Sequence, residues 1–428
     1  QKKRFTMNIK NRLTIMNFLQ FFVWGSWLIS LGGYLGGTLH FSGEQIGGIF
    51  ATMGIASLFM PGLLGIVADR WMNAERVLGL CHLIGAVLLF YASTISDPNM
   101  LFWIMLLYLM TYMPTIALNN TVSYDILAQK GYDVVKVFPP IRVWGTIGFI
   151  AAMWVVDLFG WARSPIQFYV GAITAIALGV YAFTLPACPP SKSSKKGSLV
   201  SALGLDAFVL FKQRKMTVFF IFAMLLGAAL QITNTFGGSF LDSFSMDAMY
   251  KSSFAVTHPN LLMSVSQISE TLFILTIPFF LSRFGIKKVM MMSMFAWVFR
   301  FGLFGIGNPG HGLILLVLSM IIYGMAFDFF NISGSLFVEQ EVAPNIRASA
   351  QGLFMIMTNG LGAIIGGFAS GKIVDIFTTY NPTTHEVLTR NWHNIWMVFA
   401  AYALVLALVF PLVFKYKHDR NAVANVHH

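Results

Sequence analysis

Charge is what this sequence is short of. Asp, Glu, Lys and Arg make up 11% of its 428 residues, against about 25% in soluble domains. That scarcity excludes a string of soluble domains. Cysteine is scarcer still. Cys81 and Cys188 are the only two, too few and too far apart for a disulfide framework or a metal site. Catalytic signatures are missing as well: there is no G-x-S-x-G, no Walker A loop and no Cys/His cluster. His385-Glu386 lacks the second His, four residues on, that a zinc protease needs. Nothing argues for an enzyme, a cofactor or a metal. The net charge of +11 does not gather on one polar face, so no nucleic-acid partner is expected. It falls between apolar runs, which is the pattern of membrane topology.

What the chain has in abundance is apolar length, with 57% hydrophobic residues. Apolar runs occur at Leu13–Leu35, Ile46–Ala68, Val77–Ile95, Met100–Tyr124, Ile141–Phe159 and Pro165–Leu185. Six more follow at Met216–Phe236, Leu261–Ser282, Val289–Ile306, Gly312–Phe337, Ser349–Gly371 and Trp396–Phe414. Each approaches the ~20 residues of a helical span. They do not alternate as barrel strands would. The expectation is an all-α membrane protein of twelve transmembrane helices. The first run continues without a small-residue cleavage motif, so no cleavable signal peptide is expected. Gln1–Thr6, ahead of Met7, read as leader sequence.

Lys and Arg set the orientation. Of the 28, the termini and the loops after even-numbered spans hold 22, the opposite loops hold 4, and Arg142 and Arg300 lie inside spans. Both termini are therefore expected in the cytoplasm. The polar stretch Cys188–Lys215, with PPSKSSKKGS, falls at the midpoint. It divides the chain into an N-terminal six-helix half (1–187), a cytoplasmic linker (188–215) and a C-terminal six-helix half (216–428). A repeat supports the division. The turn from Gly65 through Asp69-Arg70 to Arg76 returns half a chain later as Ser282-Arg283 through Lys287-Lys288. Parallel halves around a central site describe the major facilitator architecture. The G-x-x-x-D-R spacing resembles the signature loop of that superfamily. Asp69 and Arg70 then read as a conformational latch, or as a solvated turn that only reports topology.

Polar side chains inside the spans mark a candidate site. An ionised carboxylate at mid-membrane depth costs roughly 2.5–3.5 kcal/mol even on the gentler scales, so Asp328 and Glu270 must face protein or water. Arg142, Thr146 and Phe149 share one helix face at i, i+4 and i+7. A cation, a hydroxyl and an aromatic on one stripe suit a flat polar ligand. An Arg just after Pro139-Pro140 can instead snorkel to the interface. Gln231 with Asn234, and Gln267 with Glu270, each stand at i, i+3. Their amides suit sugar hydroxyls and base edges, or simply bond helices together. Tyr323, Phe327 and Asn331 follow at i, i+4 and i+8, with Asp328 about 100° further around. Trp24 and Trp27 read as cavity wall or interfacial belt.

These residues carry a resemblance. FLQFFVWGSW (18–27), FPPIRVWGTIGF (138–149), GLDAFVLFK (204–212) and LQITN (230–234) resemble the nucleoside:proton symporter family of the major facilitator superfamily. So do SQISETLFILTIPFFLSRFGIK (266–287), YGMAFDFFNISGS (323–335) and IRASAQG (346–352). The resemblance implies proton-driven uptake of nucleosides across a bacterial inner membrane, without separating general nucleoside from xanthosine branches. It implies a multi-pass monomer in the bilayer whose partners are a nucleoside and a proton. It carries over Arg142, Thr146, Phe149, Gln231, Asn234, Gln267, Glu270, Tyr323, Phe327 and Asp328. Desolvation disfavours the charged form of a carboxylate, so Asp328 or Glu270 would carry the proton. An Arg142–Glu270 pair would keep Glu270 ionised, which puts Asp328 first. The rival readings are a proton-coupled sugar or oligosaccharide permease and a membrane receptor that moves nothing. A receptor would usually carry an added output domain.

Overall fold

The apolar runs fold as helices whose ends are set by polar caps. The computed structural model describes residues 8–190, 205–384 and 387–416. The leader, His385-Glu386 and positions 191–204 of the expected linker lie outside the described residues. The Asn8 side chain accepts from the Lys10 N–H and starts α1 (Ile9–Gly25). The chain continues through α2 (Leu28–Gly33) and a π-helical turn, Tyr34–Thr38, into α3 (Gly43–Arg70) and α4 (Ala74–Ala92). Asp97 accepts from Met100 N–H at 2.8 Å to open α5 (Pro98–Gln129), where Pro98 sits at a position that needs no N–H. Asp133 caps α6 (Val134–Leu158) in the same way. Then come α7 (Ile166–Ala182), α8 (Arg214–Ser243), α9 (Pro259–Phe284), α10 (Ile286–Ile306) and α11 (Leu313–Glu341). Helix α12 (Arg347–Met355) passes through a second π-helical stretch, Ile356–Gly362, into α13 (Ala363–Ile376). A hairpin of β1 (Thr378–Tyr380) and β2 (Val387–Arg390) leads to α14 (Trp392–Val413), capped by Asn391.

Among the described residues, eleven helical stretches are long and apolar enough to cross a membrane, and α7 adds a shorter apolar helix. The runs expected from the sequence fall on these stretches. Their outer faces remain apolar. On α4, Leu80, Ile84, Val87 and Tyr91 form one exposed stripe. Water penalises such a surface, whereas hydrocarbon is its natural solvent.

The described residues group into two compact units. One takes Gln1–Ser30 and Phe59–Ala202, the other Leu31–Leu58 and Leu203–His428. In the first unit α1 lies along α6, and α4 packs on α5 and α7. The α1 and α6 backbones nearly touch. A Cβ on Gly25 would stand 2.8 Å from Phe149 Cα, and one on Gly148 would stand 3.0 Å from Phe18 Cα. Small residues give this approach in membranes, where packing rather than hydrophobicity holds helices together.

In the second unit α10 packs on α11 and α14, and α9 packs on α11. The segment Leu31–Leu58 belongs to the first half of the sequence but packs here. Gly43, Gly47 and Gly54 of α3 meet Gly371, Gly367 and Gly360. The carboxylate of Asp375, on α13, accepts from the N–H groups of Gly43 (2.6 Å) and Glu44 (2.8 Å), capping the start of α3. An anion is well placed at a helix N-terminus. The Tyr380 hydroxyl donates to the same carboxylate, and Ser239 Oγ donates to Gly32 O at 2.6 Å. Burial, and then its bond to Asp375, push the Tyr380 hydroxyl above the usual tyrosine range.

Candidate functional site

In the first unit the close α1–α6 approach gathers an aromatic and cationic wall. The Arg142 guanidinium lies over the Phe21 ring, 4.1 Å from its centroid. Phe149 stands edge-on to Trp24 at 6.1 Å, and Trp24 in turn meets Tyr112 at 5.8 Å. Arg142, Thr146 and Phe149 are each half-buried, on the one face their spacing predicts. Helix α6 starts at Val134, so Arg142 lies more than two turns inside it, with Pro139 and Pro140 within the helix. Trp24 is half-buried, and its indole N–H has no protein partner. Trp27 is buried and donates to Tyr108 Oη at 3.3 Å, which makes it core.

Behind this wall runs a buried polar chain that the sequence reading passed over. Gln20 donates to Thr115 Oγ1 at 2.7 Å and meets His82 Nε2 at 2.8 Å through its oxygen. Tyr112 Oη donates to the Gln20 carbonyl at 2.7 Å. Asn119 donates to Asn17 Oδ1 at 2.8 Å. Gln20, His82, Asn17 and Asn119 are all buried. The available signal was polarity inside apolar runs, and the partners lie 62–102 residues apart. Paired polar groups of this kind fix side-chain positions.

In the second unit Gly324 brings α11 against α9. A Cβ there would lie 2.7 Å from the Ser269 carbonyl and 2.8 Å from Glu270 N. The Ser269 hydroxyl also donates to Ile321 O. This approach brings the Glu270 backbone against α11, the helix that carries Tyr323 and Asp328. Glu270 acts electrostatically on both. Asp328 is 3% exposed, and its Oδ2 has no protein partner. The Tyr323 and Phe327 rings stack at 6.3 Å with planes 13° apart, and Trp297 meets Tyr323 edge-on at 6.1 Å. Next to them is a narrow pocket lined by Leu230, Trp297, Phe327, Asn331, Thr358 and Asn359 among others. Trp297, Thr358 and Asn359 were not anticipated.

The amides divide. Gln231 is buried and donates to Phe50 O of α3 at 3.3 Å. Gln267 is half-buried with an unpartnered Oε1, and Asn234 is half-buried. Asp69 and Arg70 are exposed at the end of α3, and Asp69 acts electrostatically on Asp125. Glu75, one turn on, is buried and accepts from the Cys188 N–H at 2.8 Å. Burial, followed by Glu75, pushes the Cys188 thiol up to about 12. Among the described residues no group of three or more His, Cys, Asp or Glu is placed to hold a metal ion.

Known proteins carry the same design. The xanthosine permease of Escherichia coli (strain K12) is 55% identical over 418 residues, 97% of this chain and 98% of that one. The nucleoside permease NupG of the same organism is 55% identical over 415 residues, 97% of this chain and 98% of that one. A crystal structure of the nucleoside transporter NupG superposes with a TM-score of 0.89 at 54% identity, covering 96% of this chain and 100% of that one. A bacterial homolog of the human lysosomal transporter Spinster, inward-facing and unoccupied, superposes at 0.69 with 13% identity over 99% of both chains, which shows the fold alone. The sequence model described as nucleoside H+ symporter matches residues 7–419, and the chain belongs to that family.

Proposed function

We propose that the chain imports nucleosides together with protons across the bacterial inner membrane by alternating access. The observation that carries this reading is membership of the nucleoside H+ symporter family over residues 7–419. The geometry supports it. Arg142, Thr146 and Phe149 beside Trp24 give one wall with a cation, a hydroxyl and aromatic faces. The stacked Tyr323–Phe327 pair, Asn331 and the free carbonyl oxygen of Gln267 give a second set suited to a flat base and a hydroxylated sugar. Amides supply both donors and acceptors, and aromatic faces stack on bases. The proton is assigned to Asp328, with Glu270 as its electrostatic neighbour. Two like charges close together disfavour simultaneous ionisation. A proton taken from the periplasmic side would allow the loaded carrier to turn, and its release to the cytoplasm would reset the pair.

The reading includes twelve spans in two six-helix halves, 1–187 and 216–428, joined by a cytoplasmic linker. Both termini face the cytoplasm, and the carrier works as a monomer. Asp69 and Arg70 act as a cytoplasmic latch. The test is uptake of labelled uridine, adenosine and xanthosine by cells expressing the chain. Accumulation should occur and should collapse with a protonophore. Full competition by a free sugar, with none by any nucleoside, would replace this reading with a sugar permease.

A further inference from the structure

Arg300 is the one cation of α10 that lies deep within the helix, and neither the sequence pattern nor the reading above gives it work. It is 0% exposed. One nitrogen, Nη1, donates to Ser319 Oγ at 3.4 Å, while Nε and Nη2 have no protein partner. The guanidinium lies over the Phe304 ring at 4.3 Å and the Tyr323 ring at 5.2 Å. Ser319 Oγ donates back to the Arg300 carbonyl at 2.7 Å, which ties α10 to α11 at this level. A buried cation left short of hydrogen bonds is costly. Ionisable groups kept inside membrane segments are functional by default, with a partner to be named.

An acidic pair acts on the same tyrosine. Arg300, Glu270 and Asp328 all act electrostatically on that ring. Asp328 is itself short of a partner at Oδ2. Two groups of opposite sign, each incompletely bonded, thus act on one tyrosine from adjacent helices. Contact between them would lock the carboxylate in its charged form. A cation held one ring away offsets the charge when it forms and still lets the proton return. On α14, His393 bonds Gly305 O at the end of α10. Lys287 bonds Pro411 O at the opposite end, 13 residues and roughly 20 Å along the helix.

We propose that Arg300 is a positioning residue for proton coupling: it acts through Tyr323 on the Glu270–Asp328 pair and offsets the negative charge left when the proton departs. The proposal rests on the symporter reading. The test uses full-length wild type, Arg300→Gln and Arg300→Lys in proteoliposomes. Nucleoside counterflow at equal concentrations is measured beside proton-driven accumulation over a series of internal pH values.

Arg300→Gln should keep counterflow, because exchange needs no proton release. Its accumulation should fail near neutrality and recover toward alkaline pH. The midpoint should move by about one pH unit, a roughly tenfold change in proton affinity. Arg300→Lys should stay near the wild-type midpoint. A wild-type midpoint in Arg300→Gln overturns the proposal. So does a parallel loss of counterflow and accumulation in both variants, which marks a structural role. Should Arg300→Gln alone not fold, the double variant Arg300→Gln/Asp328→Asn removes both charges together. It should fold and exchange as Asp328→Asn does, and an unfolded double variant overturns the proposal. A wild type with no nucleoside counterflow overturns the symporter reading itself.

Discussion

Gly367 is the position where one added methyl group has the clearest consequence. It lies on α13 against α3. A Cβ there would stand 2.5 Å from Gly47 O, 3.0 Å from Ala51 Cβ and 3.1 Å from Ala51 N. Two of those neighbours are backbone atoms, so no side-chain rotation relieves them. Overpacking of this kind costs about 1–3 kcal/mol. Alternating access by rocking of two halves requires Leu31–Leu58, which comes from the first half of the sequence, to part from the helices of the second. The cost of Gly367→Ala therefore falls on the packed state and not on the parted one. The population should shift by roughly 5- to 150-fold. Ile46, fully buried on α3, reports the shift when changed to Cys, because a smaller side chain adds no clash. In a background free of Cys81 and Cys188, a membrane-impermeant maleimide added outside cells should label Ile46→Cys faster by that factor once Gly367→Ala is present. Unchanged labelling in folded protein would refute the argument, because the glycine contacts would then not set the opening equilibrium.

Asp328→Asn keeps shape and removes the titration, so it should exchange nucleoside and lose uphill accumulation; the opposite pattern, with Glu270→Gln uncoupled and Asp328→Asn still concentrating, moves the proton to Glu270. Gln267→Ala should weaken nucleoside binding by roughly 5- to 150-fold, the cost of about 1–3 kcal/mol for an unpaired buried partner, and should leave thermal stability unchanged because its Oε1 has no protein partner to lose. Tyr380→Phe removes a donor to Asp375 and should raise Ile46→Cys labelling roughly two- to tenfold. Since the Tyr380 hydroxyl is raised, its bond is fully present below the ordinary tyrosine value near 10 and is lost only as pH rises through the higher folded value; labelling that rises already at neutral pH would contradict this. Single cysteines at Ser193 and Asn381 should label from opposite sides of the membrane, and labelling of both from outside intact cells would overturn the span count.

The long apolar helices were legible because hydropathy and length mark what can cross a bilayer. The shared face of Arg142, Thr146 and Phe149 was legible because helical spacing is local. What faces that stripe was not. Phe21 and Trp24 reach Arg142 and Phe149 only because Gly25 and Gly148 let two helices touch at positions more than 120 residues apart. The same limit governs the amides. The sequence gives Gln231 a donor but cannot say that Phe50 O receives it. Nor can it say that the Gln267 oxygen is left open. Arg300 was visible as a charge within a span, yet its meaning lies on a neighbouring helix, in Ser319 and Tyr323.

The boundary of the compact units makes a related point about halves. Division by sequence at the central polar stretch follows chain connectivity, whereas compactness follows contacts. Helix α3 answers to both. Its first part, up to Leu58, is held by glycine contacts and by the Asp375 cap within the second unit, and its remainder from Phe59 falls in the first. Small residues, a carboxylate cap and the bonds from Ser239 and Gln231 make this contact close. Parting it opens the backbone groups of Gly32, Gly43, Glu44 and Phe50 to water, which can take over their hydrogen bonds, so the contact can be remade. A large interlocked apolar surface in the same place would hold more tightly and would resist the movement that transport needs. The glycines of α3 and α13 are thus best understood through the reversibility of their contact, and Gly367→Ala measures it.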